Sequence, residues 1–241
     1  MLLLDPAARP IIGHRGAAGE EPENTVRSFD TALRQGADAL EFDVRAAAGG
    51  TPVVIHDATV DRTTNGVGAV QRFTTSALGE LDAGWGERVP LLTDVLARYP
   101  HTPFIVEIKE TRAAEPALAV MEQHGARERV LVGSFEHQAL APFRRAGFAV
   151  AAARRQAALF WTVTRLGAAP PRGSLAGFTV PEYHGRLRVV DARFVRAAHR
   201  RGLPVHVWTV DDPGDARRLR ALGVNGLITN LPGPMRSALS R

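Results

Sequence analysis

What most constrains this chain is a rhythm. Short β-branched apolar runs alternate with amphipathic stretches along almost its whole length. The runs fall at 10–13, 39–44, 52–55, 103–108, 130–133, 148–152, 177–180, 204–208 and 226–229. Between them, apolar residues return at helical spacing over 25–35, 91–99, 113–124, 137–146, 156–166, 191–201, 213–222 and 232–239. Helix punctuation agrees with this division. Asn24 and Thr25 stand ready to cap the first helix and Gly36 follows it; Gly202 follows the sixth; Asp212-Pro213 opens the seventh and Gly223 closes it. Close to eight strand–helix units in 241 residues is the size and order of a TIM-type (β/α)8 barrel, an α/β fold. An open doubly wound sheet shares the alternation and is the alternative. The pattern predicts a single domain over 1–241. The extra run at 52–55 reads as a continuation after the second strand. Residues 57–90 show no clear helix–strand period and contain Gly66, Gly68, Gly84 and Gly86, so they read as a short inserted cap above the barrel mouth.

Composition removes several classes of chemistry. Cysteine is absent, which excludes disulfides, thiolate zinc sites, iron–sulfur clusters and cysteine nucleophiles. At 45% hydrophobic and 23% charged residues the chain is globular rather than disordered. The leucines at 2–4 fall short of a signal-peptide core, and no apolar run approaches the roughly 20 residues a membrane span needs. The expected location is cytoplasmic. Net charge is +5, and Lys109 is the one lysine among 30 basic residues. Residues 140–201 hold 12 Arg against Glu182 and Asp191, a net +10 that leaves −5 for the remainder. Such a half could make a weak contact with an anionic membrane surface. A solvated arginine surface explains it as well, and no nucleic-acid partner is expected.

The chemistry gathers where the strands end. In a parallel barrel the active site lies at the C-terminal ends of the strands. Those ends read His14-Arg15-Gly16, Glu41-Phe42-Asp43, His56-Asp57, Glu107-Ile108-Lys109, Ser134-Phe135 and Trp208-Thr209. Charged groups in otherwise apolar strands are costly unless paired or metal-bound. Glu41 and Asp43 are two residues apart, so both face the same way, and Glu107 with Lys109 repeats the pattern. Three carboxylates in one cavity repel, and one divalent cation would relieve them. All-oxygen donors favour Mg²⁺, Ca²⁺ or Mn²⁺ over Zn²⁺. The competing account is a buried Glu–Lys pair beside a capped Asp. His14 and His56 are the candidate general acid and base. The remaining histidines, at 101, 124, 137, 184, 199 and 206, read as structural. Arg15 and Lys109 have no nearby acidic partner in sequence beyond the presumed metal ligands, which suits a phosphate.

These motifs resemble the glycerophosphodiester phosphodiesterase family. The resemblance runs from His14 to Pro232: HRG at 14–16, PENT at 22–25, EFDV at 41–44, HDATVDRTTNG at 56–66, VPLLTDVL at 89–96, VEIK at 106–109, SF at 134–135, GLPVHVWTVDD at 202–212 and GVNGLITNLP at 223–232. It implies a TIM-type barrel that hydrolyses glycerophosphodiesters to sn-glycerol 3-phosphate and an alcohol. It further implies a divalent cation, Mg²⁺ or Ca²⁺ with Mn²⁺ a third candidate, held by Glu41, Asp43 and Glu107. His14 and His56 match the family's catalytic pair, Arg15 and Lys109 its phosphate-binding positions, and Trp208 an aromatic wall against the glycerol. Glu23, Asn24 and Thr25 match a supporting turn, in which Asn24 would orient His14 or ligand groups. One departure is visible: the family's last strand often ends Thr-Asp, and here it ends Thr229-Asn230. Two alternatives stand beside this reading. One is a lysophospholipase D acting on lysolipids, for which Leu159-Phe160-Trp161 in the arginine-rich half is the support. The other is a non-catalytic barrel that binds phosphate or nucleic acid.

Overall fold

The computed structural model describes residues 1–167 and 175–240. Arg172 of the arginine-rich half lies outside the described residues. The strands are β1 (Ile11–His14), β2 (Ala39–Ala46), β3 (Pro52–Val54), β4 (Phe104–Ile108), β5 (Val130–Gly133), β6 (Ala149–Val150), β7 (Phe178–Pro181), β8 (Tyr183–His184), β9 (Leu187–Arg188), β10 (Val205–Trp208) and β11 (Gly226–Thr229). The α-helices are α1 (Val26–Arg34), α2 (Thr75–Glu80), α3 (Leu92–Arg98), α4 (Ala114–Gln123), α5 (Ala141–Arg145), α6 (Arg154–Arg165), α7 (Ala192–His199), α8 (Pro213–Ala221) and α9 (Pro232–Leu239).

Eight parallel strands run in the order β6-β5-β4-β2-β1-β11-β10-β7. The two ends of that path meet. Ala151 bridges Gly177 in parallel, Ala152 N–H donates to Gly177 O at 2.9 Å, and Ala176 N–H donates to Val150 O at 2.9 Å. The sheet is therefore a closed barrel rather than an open doubly wound sheet. A helix follows every barrel strand before the next, and three of those helices carry side-chain N-caps. The Thr25 hydroxyl accepts from Ser28 N–H at 3.2 Å, Asp191 from Phe194 N–H at 2.8 Å, and Asp212 from Asp215 N–H at 2.9 Å.

Alternation within each strand sorts residues between two cores. Outward residues such as Leu40, Phe42, Val44, Phe104 and Val106 pack against α1 and α3–α5. Phe178, Val205, Val207 and Leu227 do the same under α6–α9. Inward residues Ile12, Ala39, Ile105, Leu131, Ala151 and Ile228 close the bottom of the barrel, and Leu3 plugs it from below. Each such large side chain contributes roughly 1.5–3 kcal/mol by leaving water.

Two expectations need correction. The run at 52–55 does not continue β2: β3 folds back antiparallel on it, pairing Val54 with Val44 and Pro52 with Ala46. The loop 47–51 is far too short for a parallel crossover. The segment 57–90 is not free of helix either, because α2 lies within it, capped by Thr74. That segment surrounds its own apolar cluster, which includes Val53, Ile55, Val60, Val70, Leu78 and Val89.

Candidate active site

Strand register assembles the site. Glu41 of β2 is the cross-strand partner of His14 on β1, and Asp43 is the partner of Glu107 on β4. The carboxylates of Glu41, Asp43 and Glu107 present oxygens within 4.8 Å of one another. Glu41 and Asp43 are 6% and 1% exposed, so solvent does little to screen their repulsion. Burial first, and then the charges of Asp43 and Glu107, push the Glu41 carboxyl well above its ordinary range. Burial and Asp43 raise Glu107 as well, against the pull of Lys109. A compact set of hard carboxylate oxygens, mutually repelling and poorly screened by solvent, is the donor chemistry of a divalent cation site.

Two cations lean on the cluster. The Lys109 ammonium donates to Glu107 Oε1 at 2.8 Å and lies 3.4 Å from Asp43 Oδ1. Arg15 is delivered by the turn after β1. Its φ of 50° and the 87° of Gly16 are both left-handed, and a Cβ on Gly16 would come within 2.3 Å of the Ser28 hydroxyl. Only glycine fits there. That turn brings the Arg15 N–H to Glu41 Oε2 at 3.1 Å, its Nε to within 3.1 Å of Asp43, and its Nη1 to Glu23 at 2.8 Å. Arg15 thus has Glu23 as a partner outside the triad, which the sequence reading had not given it.

The histidines are held in two different ways. His14 Nδ1 meets Asn230 Oδ1 at 2.7 Å, and its Nε2 lies 3.9 Å from Glu41. Burial lowers its pKa. His56 Nδ1 meets the Asp57 carboxylate at 2.6 Å. Asp57 is in turn gripped by Arg62 Nε at 2.6 Å, and these hydrogen bonds hold its carboxyl well below the usual range. Arg62 also reaches Glu23 through both terminal nitrogens, at 2.7 and 2.8 Å. One guanidinium therefore ties the holder of His56 to the holder of Arg15. Arg45 donates to the His56 carbonyl at 2.7 Å.

Asn24 does not orient His14. Its amide donates to Asp43 Oδ2 at 3.0 Å from a left-handed backbone with φ 59°, and it is Asn230 that holds the imidazole. Thr25 caps α1 behind this turn. Trp208 completes a wall: its ring lies edge-on to Phe135 at 6.1 Å, and the Lys109 ammonium sits 5.8 Å from the Phe135 ring centre. The fold thus brings His14, Arg15, Glu23, Asn24, Glu41, Asp43, Glu107 and Lys109 into one network, with His56 joined to it through Asp57, Arg62 and Glu23. Sequence reasoning missed Arg62 and Arg45. Arg62 had a signal, because it stands five residues after Asp57 inside the quoted motif.

A closed parallel barrel with this constellation at its strand ends has the architecture of an enzyme that handles a phosphate ester. Residues 14–234 match the glycerophosphoryl diester phosphodiesterase family, and the chain belongs to that family. YhdW of Bacillus subtilis (strain 168) is 35% identical, over 92% of this chain and 94% of its own length. A glycerophosphodiester phosphodiesterase of Caldanaerobacter subterraneus subsp. tengcongensis is 32% identical, over 92% and 94%. Among solved structures, an Oleispira antarctica phosphodiesterase in complex with the product sn-glycerol-3-phosphate superposes with a TM-score of 0.80 at 25% identity, covering 97% of this chain and 98% of that one. A glycerophosphodiester phosphodiesterase from Agrobacterium tumefaciens str. C58 gives 0.78 at 28% identity, over 95% and 99%. No described helix is long and apolar enough to cross a membrane.

Proposed function

We propose that this protein hydrolyses glycerophosphodiesters to sn-glycerol 3-phosphate and an alcohol, as one barrel domain whose segment 57–90 is the cap. The observation that carries the reading is the meeting of three carboxylates, buried Glu41 and Asp43 and half-buried Glu107, within 4.8 Å, flanked by Arg15 and Lys109 and by two oriented histidines. The product bound by the Oleispira neighbour supports the same substrate class.

The three carboxylates would hold one divalent cation, Mg²⁺, Ca²⁺ or Mn²⁺. When bound, it supplies polarisation of the phosphoryl oxygens and neutralises charge that develops on them. The remaining work falls to the chain. Arg15 and Lys109 bind and orient the phosphate. Trp208 and Phe135 shield the glycerol side from water. The Nε2 of His14, uncharged in its buried setting, accepts a proton from the attacking water, or from the glycerol 2-hydroxyl where a cyclic phosphate forms first and water then opens it. His56, held by the Asp57 carboxylate, donates to the departing alkoxide oxygen.

The lysolipid alternative loses ground in the fold. Phe160 packs between Phe178 and Phe194, with ring centres 4.7 and 5.2 Å away, so its ring belongs to the core, while Trp161 is half-buried against that core and Leu159 is exposed. A substrate panel tests the proposal. Glycerophosphocholine, glycerophosphoethanolamine, glycerophosphoglycerol and a lysolipid are incubated with Mg²⁺, Ca²⁺ or Mn²⁺, and released glycerol 3-phosphate is measured. Water-soluble diesters should be turned over and chelator should abolish it. Exclusive turnover of lysolipid, or full activity in excess chelator, overturns the reading.

A further inference from the structure

The amide of Asn230 cannot choose its own orientation. Its Nδ2 donates to Asp211 Oδ2 at 2.7 Å, and its backbone N–H donates to Asp211 Oδ1 at 2.7 Å. The Thr229 hydroxyl donates to that same Oδ1 at 2.9 Å, and the Leu231 N–H donates to Thr229 Oγ1 at 3.1 Å. An ionised carboxylate only accepts, so it selects the NH₂ side of the amide. The carbonyl side is then turned to His14 Nδ1, 2.7 Å away. A carbonyl oxygen also only accepts, so the proton of a neutral His14 ring must sit on Nδ1. Nε2 is left with its lone pair on the side of Glu41, whose Oε2 lies 3.9 Å away.

We propose that Asp211 is a positioning residue for the reaction: acting through the Asn230 amide, it fixes the ring orientation and tautomer of His14 without touching it. This rests on the reading that His14 transfers a proton. In this chain the neutral amide stands between His14 and the carboxylate, so the charge is held one side chain away from the ring. His56 takes its carboxylate partner directly at 2.6 Å.

The test combines kinetics with ring ¹⁵N–¹H correlation spectra of uniformly ¹⁵N-labelled protein, with His14→Gln assigning the His14 signals. The unsubstituted protein should show His14 as the Nδ1–H tautomer. Asp211→Asn should lower kcat on a glycerophosphodiester on the order of 10²-fold with KM nearly unchanged, because the amide is freed to flip. Its His14 signals should shift toward the Nε2–H form. Asn230→Asp alone sets two carboxylates against each other and should also lose activity. The exchange variant Asp211→Asn/Asn230→Asp rebuilds the chain with the charge moved, and should recover most of kcat and the Nδ1–H signature.

An Nε2–H tautomer in the unsubstituted protein overturns the proposal whatever the variants do. So does an Asp211→Asn enzyme with unchanged kcat, or one that loses activity with an unchanged tautomer. If Asp211→Asn fails to fold, the native spectrum and the exchange variant still decide. Absence of any diester turnover by the unsubstituted protein would instead count against the proposed function, and the spectra would still judge the Asp211–Asn230 pair.

Discussion

The floor and the mouth of the barrel are built by the same strands under the same rule, two residues apart. On β1 the inward position is Ile12 at the floor and His14 at the mouth. On β2 the step is from Ala39 to Glu41, on β4 from Ile105 to Glu107, and on β10 from His206 to Trp208. After β11 it runs from Ile228 to Asn230. Floor residues such as Ile12, Ile105, Leu131 and Ile228 are nearly or wholly excluded from water and touch one another. At the mouth stand the repelling carboxylates Glu41 and Glu107 beside His14, Trp208 and Asn230, and loop residues such as Arg15 and Arg62 reach in to tie the charged groups. One pleat period thus separates a layer that stabilises the fold from a layer that strains it in order to act. If the division is real, substitutions in the two layers should separate cleanly into losses of rate and losses of stability.

The largest expected effect is at the mouth. His14→Ala and His56→Ala should each lower kcat by about 10²–10⁴-fold, with much smaller changes in KM and little change in the melting temperature. With both acting in one proton-transfer sequence, as proposed, the double variant should lose far less than the product of the two. Near-normal kcat in either single variant would return that histidine to a structural role.

The next effect belongs to the floor. Ile105 is 2% exposed within the bottom cluster. Ile105→Ala should cost about 2–5 kcal/mol of unfolding free energy while activity per folded molecule stays close to normal. Urea titration beside kcat checks both halves. A rate loss of the size expected at His14 would erase the division between layers.

How far this division was legible in the sequence depends on range. The strands announced themselves through apolar runs, and the charged ends through residues two apart on one strand, both local signals. The triad followed because Glu41 and Asp43 share a face by geometry alone. The holder of His14 did not follow. Asn230 meets His14 across 216 positions, and Asp211 meets Asn230 only because β10 and β11 are neighbours. The Leu3 plug is equally long-range: three leucines at 2–4 carry no pattern that points into a barrel. The direction of β3 was different, since the brevity of loop 47–51 had already excluded a parallel return.

A third effect comes from a buried polar side chain in the floor. His206 donates from Nε2 to the Leu3 carbonyl at 2.9 Å, and its Nδ1 has no hydrogen-bond partner. Gly226 lies so close that a Cβ there would come within 2.1 Å of Nδ1. Burial first depresses its pKa, to about 4. The folded ring therefore refuses a proton that the unfolded ring, near 6.5, accepts. Its contribution to stability is complete above about pH 6.5 and is lost as pH falls toward 4. At pH 4.5 that loss should be about 2–3 kcal/mol. Urea midpoints at pH 7 and pH 4.5 should fall further for the native protein than for His206→Gln. Equal falls would remove His206 as the acid-sensitive element of the floor.

The smallest effect has the opposite sign, and only the mouth should produce it. Glu41 is buried against Asp43 and Glu107, and its pKa is raised. Above the ordinary range of a glutamate, the folded state must either hold that charge among its neighbours or take up a proton that the unfolded chain has released. Both cost stability, and the cost grows as pH rises from the unfolded toward the folded pKa. Glu41→Gln removes it while the side-chain oxygen can still accept from Arg15 N–H. In excess chelator at neutral pH the variant should therefore be more stable than the native protein by about 1 kcal/mol, a rise of roughly 2–4 °C in a chain of this size. Divalent cation should reverse the order. At about 100 times the dissociation constant, a site bound only in the folded state adds about 2.7 kcal/mol, and the variant, short of one carboxylate, should gain much less. Thermal melts with chelator and with each of Mg²⁺, Ca²⁺ and Mn²⁺ read both signs in one experiment. A variant that is less stable in chelator would mean that the triad supports the fold, and that the mouth differs from the floor only in its polarity.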